Sequence, residues 1–152
     1  MTFRLAVEST PSVAAFYRPG LQALSKHDAQ RIHCANSRRL TGSVNVDVAL
    51  RAAQPHAKRW DYGIGLRRGN GEVAVWVEVH PASSTSIAVM LDKLRWLKNW
   101  LQTQAPALHK LTQDDFYWLS TGAPIAITAN SKHAKRLASV GLRGPLRVLA
   151  LK

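Results

Sequence analysis

The stretch from Trp60 to Pro81, WDYGIGLRRGNGEVAVWVEVHP, constrains this chain more than any other. Two β-rich runs flank a Gly-Asn-Gly turn, and Asn-Gly or Gly-Asn between such runs is the strongest short-range signal for a hairpin. Counting outward from Arg68 and Gly71, position 61 falls opposite position 78. Side chains alternate along a strand. Val73, Val75, Val77 and Val79 therefore present one core face, and Ala74, Trp76, Glu78 and His80 the other. In the first strand Trp60, Tyr62, Ile64 and Leu66 share a face. Asp61, Gly63 and Gly65 share the reverse, with the glycines expected to leave open space beside the acid. Asp61 and Glu78 thus converge, with His80 alongside, where an apolar sheet tolerates carboxylates poorly.

The flanks supply the remaining elements. FRLAV, residues 3–7, reads as a short edge strand. Residues 19–36 read as a helix opened by Pro19, with Leu21, Leu24 and Ile32 as a thin apolar stripe. GSVNVDVAL alternates Val44, Val46, Val48 and Leu50 as a half-buried strand does, placing Asp47 with Ser43 and Asn45 on the polar side. From Ser83 to Gln104 the period turns helical, with Ile87, Leu91, Leu94, Leu97 and Leu101 on one side and a Ser/Thr cluster as N-cap. FYWLSTGAPIAITA, residues 116–129, predicts a strand. NSKHAKRLASVG predicts a short helix capped by Asn130 or Ser131, and PLRVLAL a closing strand. The fold class is α/β: a mixed sheet with an α-β-β-β-α-β core plus a C-terminal helix and strand, in one domain over 1–152.

Charge narrows the partner. Lys and Arg number 21 against 9 acidic residues, a net charge of +12, which favours a polyanion such as nucleic acid. The basic clusters are Arg38–Arg39, Lys58–Arg59, Arg67–Arg68 and Lys132–Lys135–Arg136. The single cysteine, Cys34, excludes an intrachain disulfide and reads as a helix-end thiol. No stretch approaches the roughly 20 apolar residues of a membrane span, and the expected location is cytoplasmic. There is no Gly-rich phosphate loop, zinc-type Cys/His spacing or nucleophile elbow.

Two readings of the acidic pair follow. A hard divalent cation such as Mg²⁺ between the carboxylates relieves their repulsion. Alternatively, each acid pairs with Arg59, Arg67 or Arg68 at a sheet edge.

The element order, with Asp61 in one strand and Glu78-Val79-His80 closing the next, resembles the PD-(D/E)XK nuclease-like superfamily, over about residues 20–128. The resemblance implies a restriction-endonuclease-like fold and a phosphodiesterase that hydrolyses DNA or RNA with Mg²⁺ or Mn²⁺. Asp61 and Glu78 would be metal ligands, Val79 would lend its carbonyl, and His80 would occupy the position of the motif lysine. Lys93, on a helical stripe with Val89, Trp96 and Trp100, is a second candidate for that lysine. It either points back at the sheet or runs outward to solvent over the tryptophans. Asp47 is a further candidate for the same cleft. The alternative on the same fold is a non-catalytic module that binds nucleic acid or a protein partner.

Overall fold

The computed structural model describes residues 1–121, 127 and 131–152. A six-stranded sheet runs β1 (Tyr17–Arg18), β3 (Leu40–Asn45), β4 (Tyr62–Arg68), β5 (Gly71–Val79), β6 (Thr112–Leu119) and β7 (Leu142–Leu146) in that spatial order. Pairing is antiparallel from β1 to β5 and parallel from β5 through β7. Parallel neighbours need long crossovers. The β5–β6 crossover carries α4 (Ser86–Gln104) and α5 (Pro106–Leu111), and the β6–β7 crossover carries α6 (Lys132–Ser139). A second, parallel sheet pairs β2 (Ile32–Cys34) with β8 (Leu149–Leu151). Three short helices complete a mixed α/β fold: α1 (Phe3–Glu8), α2 (Lys26–Ala29) and α3 (Val46–Leu50).

The β4–β5 hairpin forms in the expected register, from Arg68↔Gly71 to Tyr62↔Val77, with Gly69 at φ +61° in its turn. Both faces are covered. Tyr62, Ile64, Leu66, Val73, Val75 and Val77 pack beneath Ile32, Leu149 and Leu151 of the small sheet. Trp76, Phe116 and Trp118 meet Met90, Leu94, Leu97 and Trp100 of α4 on the opposite face. Each Val or Leu buried this way contributes roughly 1.5–3 kcal/mol, so the α4 stripe holds the crossover onto the sheet. Two expectations fail here. Trp60 precedes the ladder and packs with the α4 layer rather than with Tyr62. The space beside the glycines is filled: a Cβ on Gly63 would stand 2.6 Å from the Trp76 ring, and one on Gly65 would meet Phe3 and Thr41.

Several short elements differ from expectation. Residues 3–7 are helical because Thr2 Oγ1 caps the Leu5 N–H (3.1 Å) and Phe3, Ala6 and Val7 share the buried side. Residues 19–36 form no long helix. Ser25 caps only the single turn of α2, and Ile32 is drawn into the second sheet. Cys34 is therefore a half-buried strand residue. The valine run stays extended only to Asn45, whose Oδ1 accepts the Val48 N–H at 2.9 Å and starts α3. Val46 and Leu50 are then buried at i and i+4 while Val48 is exposed. The predicted last strand is divided between β7 and β8, which join different sheets. Ser131 caps α6. The predicted strand beyond Thr121 and the Asn130 cap lie outside the described residues, apart from Ile127. No helix among the described residues is long and apolar enough to cross a membrane.

Candidate functional site

The hairpin register brings Asp61 and Glu78 together just beyond the last paired residues of β4 and β5. Their side chains are bonded crosswise to the neighbouring strand. The Asp61 N–H donates to Glu78 Oε1 (3.0 Å), and the Val79 N–H donates to Asp61 Oδ2 (3.0 Å). Lys93, two turns into α4, donates from Nζ to Glu78 Oε2 at 2.5 Å. Glu78 is 0 % exposed, while the Lys93 side chain retains 19 % exposure. The outward path over the tryptophans is thus not taken. A buried carboxylate without a partner is far costlier than the bend that brings the ammonium to it.

The arginine pairing of these acids does not occur either. Arg59 bonds Asp47 Oδ1 at 2.9 Å, Arg67 approaches Glu72 at 3.8 Å, and Arg68 bonds Asp115 at 2.9 Å. Asp47 lies in the first turn of α3 rather than on a strand, held by Arg59 and by Arg51 (3.1 Å). It remains close enough for its charge to act on Asp61.

Burial and mutual repulsion oppose ionisation of both carboxyls at once. Burial pushes the Asp61 carboxyl up. The Val79 N–H and Lys93 work against that rise, and Asp47 adds to it. Burial and then the charge of Asp61 push Glu78 up to about 8, with Lys93 opposing. The two carboxyls are near enough to share a hydrogen bond when one is protonated. His80 follows on β5, its N–H bonded to the Leu119 carbonyl (3.0 Å) and its own carbonyl accepting from Trp118 Nε1 (2.8 Å). Burial, then the Lys93 charge, hold its imidazole below the usual 6.5.

Among the described residues no cluster of three or more His, Cys, Asp or Glu side chains is placed to hold a metal ion. Mg²⁺, however, is commonly held by only one or two carboxylates, with water and substrate phosphate completing its shell. Asp61 and Glu78 are the two carboxyls here that would hold such an ion.

The basic clusters are spread over the molecule. Arg39 donates to the Arg67 carbonyl (3.0 Å) near the hairpin turn, with Arg38 exposed beside it. Asp61 lies six residues from Arg67, about 20 Å at strand rise. Arg68 joins Asp115, Tyr117 and Arg143 around a cavity of about 400 Å³ at that same turn end. Lys132, Lys135 and Arg136 are exposed on α6, whose crossover leaves the sheet at the end of β6, the end that also carries Glu78.

One connection had no sequence signal. Trp96 Nε1 donates to Gln54 Oε1 (3.0 Å), and the Gln54 carbonyl accepts from Arg59 Nη1 (2.5 Å). This ties the loop before Trp60 to α4 beside Lys93. An amide in a loop carries no periodicity from which such a bond could be read.

No protein-family model matches the chain, and no curated protein or solved structure does.

Proposed function

We propose that the chain is a divergent metal-dependent phosphodiesterase of the PD-(D/E)XK type, acting on DNA or RNA. The observation that carries this reading is the crosswise-bonded Asp61–Glu78 pair with Lys93 on Glu78. The element order supports it: antiparallel β3, β4 and β5, then a helical crossover to β6 parallel to β5. So does the net charge of +12.

In this reading Asp61 and Glu78 hold Mg²⁺ or Mn²⁺, with the Val79 carbonyl as a further ligand. When bound, the ion polarises the scissile phosphate and lowers the pKa of the attacking water. Lys93 supplies from the helix the positive charge that the motif lysine supplies from the strand. It also holds Glu78 in place. His80, kept neutral near pH 7, accepts a proton from water. Exposed Lys132, Lys135 and Arg136 on α6, and Arg38, Arg39, Arg67 and Arg68 at the turn end, give the electrostatic grip on phosphates.

The test is incubation with labelled single- and double-stranded DNA and RNA, with Mg²⁺ or Mn²⁺ and with EDTA. Expected is metal-dependent cleavage that disappears in Asp61→Ala and Glu78→Ala. Absence of cleavage from every substrate in either metal overturns the enzymatic reading. A second reading, a non-catalytic nucleic-acid-binding module, is favoured by His80 standing where the motif has lysine. It predicts binding without cleavage that weakens steeply with salt.

A further inference from the structure

Beside the acidic pair, α4 carries a second feature that the hydrolytic chemistry does not use. Trp96 is three residues beyond Lys93, hence on the same side of the helix and about 4.5 Å further along its axis. Its ring is half-buried. It stacks on the buried Trp100, with centroids 6.0 Å apart and planes 8° from parallel. The Gln54 bond to its indole N–H fixes the ring's orientation. Trp96 lines an open depression of about 400 Å³ with Lys58, Asp92, Arg95 and Asn99. Arg95 is partly neutralised by Asp92 at 3.3 Å. Lys58 is exposed and makes no ion pair among the described residues.

Packing against the core accounts for the buried side of Trp96, while its open side is a fixed aromatic surface between cations. A rigid aromatic surface flanked by positive charge is how proteins hold an unpaired base: the ring stacks on its π-face and the cations take adjacent phosphates. We infer that Trp96 is a stacking platform for an unpaired nucleobase, with Lys58 and Arg95 receiving the flanking phosphates, so that a single-stranded or locally unpaired segment passes the partly exposed Lys93 and Asp61. The inference rests on the reading of that site as one for phosphodiesters, and it specifies the substrate as unpaired strand. Because Gln54 and Trp100 already hold the ring, little ordering is left for binding to accomplish.

The experiment measures equilibrium binding in EDTA, where no cleavage intervenes, by fluorescence anisotropy. The probes are labelled oligothymidylate, oligouridylate and a fully abasic deoxyribose-phosphate strand of equal length. The parent protein binds the base-bearing strands tighter than the abasic one, by about tenfold or more per stacked base. Trp96→Ala loses that discrimination, and Trp96→Phe retains most of it. Lys58→Ala weakens all three probes alike and reduces the slope of log affinity against log salt by about one. Equal affinity of the parent for abasic and base-bearing strands overturns the inference, and that comparison requires no variant to fold. Oligothymidylate and oligouridylate separate DNA from RNA as the source of the base. If the protein cleaves nucleic acid but ignores the bases, only this inference fails. Base-dependent binding without cleavage removes the enzymatic reading and leaves the platform standing.

Discussion

Glu78 is a fully buried carboxyl whose proton affinity is set by folding, and replacing it with glutamine tests the site without any assay of activity. In the unfolded chain the group titrates at its ordinary 4.5, whereas in the folded protein it is pushed up to about 8. Between those values the folded protein holds a proton that the unfolded chain has released, so stability falls as pH rises. The contribution is fully present below pH 4.5 and is lost as pH climbs through about 8. At about 1.4 kcal/mol per pH unit, the interval amounts to a loss on the order of 5 kcal/mol, a large share of the roughly 5–15 kcal/mol that stabilises a typical domain. His80 acts in the opposite sense. Its folded-state pKa lies below 6.5, so its contribution is present above that value and lost as pH falls. Because His80 is common to both proteins, comparing parent with Glu78→Gln isolates Glu78 and its coupling to Asp61 and Lys93. Urea unfolding followed by circular dichroism from pH 5 to 8.5 should give a parent curve that falls steeply and a Glu78→Gln curve that is much flatter. Excess Mg²⁺ at pH 8 should restore stability to the parent by binding the ionised pair and leave Glu78→Gln unmoved. Parallel curves for the two proteins would refute the reasoning, since Glu78 would then be ionised throughout and satisfied by Lys93 alone.

Two further substitutions probe the supports of the pair. Lys93→Met leaves Glu78 buried without its cation; with the parent carboxyl pushed up to about 8, the additional loss at pH 9 should be about 1 kcal/mol. At pH 5, where Glu78 is protonated, the loss should shrink; equal urea midpoint shifts at both pH values would show that the ion pair is not the cause. Gly63→Ala would set a methyl 2.6 Å from the ring of the fully buried Trp76, and thermal melts should report a destabilisation of about 1–3 kcal/mol. An unchanged melting temperature would mean that the ring has room to yield.

The parts of the fold legible in the sequence were those whose signals are local and repeated. The turn at Gly69–Asn70 and the alternating valines set the hairpin register, and hence the meeting of positions 61 and 78. The helical stripe of α4 is similarly self-contained: Ile87, Leu94, Leu97 and Leu101 are buried and Leu91 half-buried, joined by Met90 and Trp100. The illegible parts were decided by distant or competing contacts. Val44, Val46 and Val48 alternate as a strand would, yet one capping amide on Asn45 turns the chain into α3. Ile32 and Leu149 pair across almost the whole chain, and nothing near either residue announces the other. For Lys93 the helical spacing left two directions open. The deciding quantity was the burial of a glutamate near the end of β5, whose carboxyl oxygens require a hydrogen-bond donor wherever one can reach.

The crosswise hydrogen bonds also make assembly of the site inseparable from folding itself. Each carboxyl is fastened to an amide of the adjoining strand, so a hairpin mispaired by a single position would put the two acids on opposite surfaces and turn one strand's core residues to the wrong layer. Such a molecule would have neither a packed interior nor a place for an ion. Competent but loosely folded intermediates are therefore not expected, and loss of secondary structure and loss of the proposed divalent-ion affinity should occur at the same denaturant concentration.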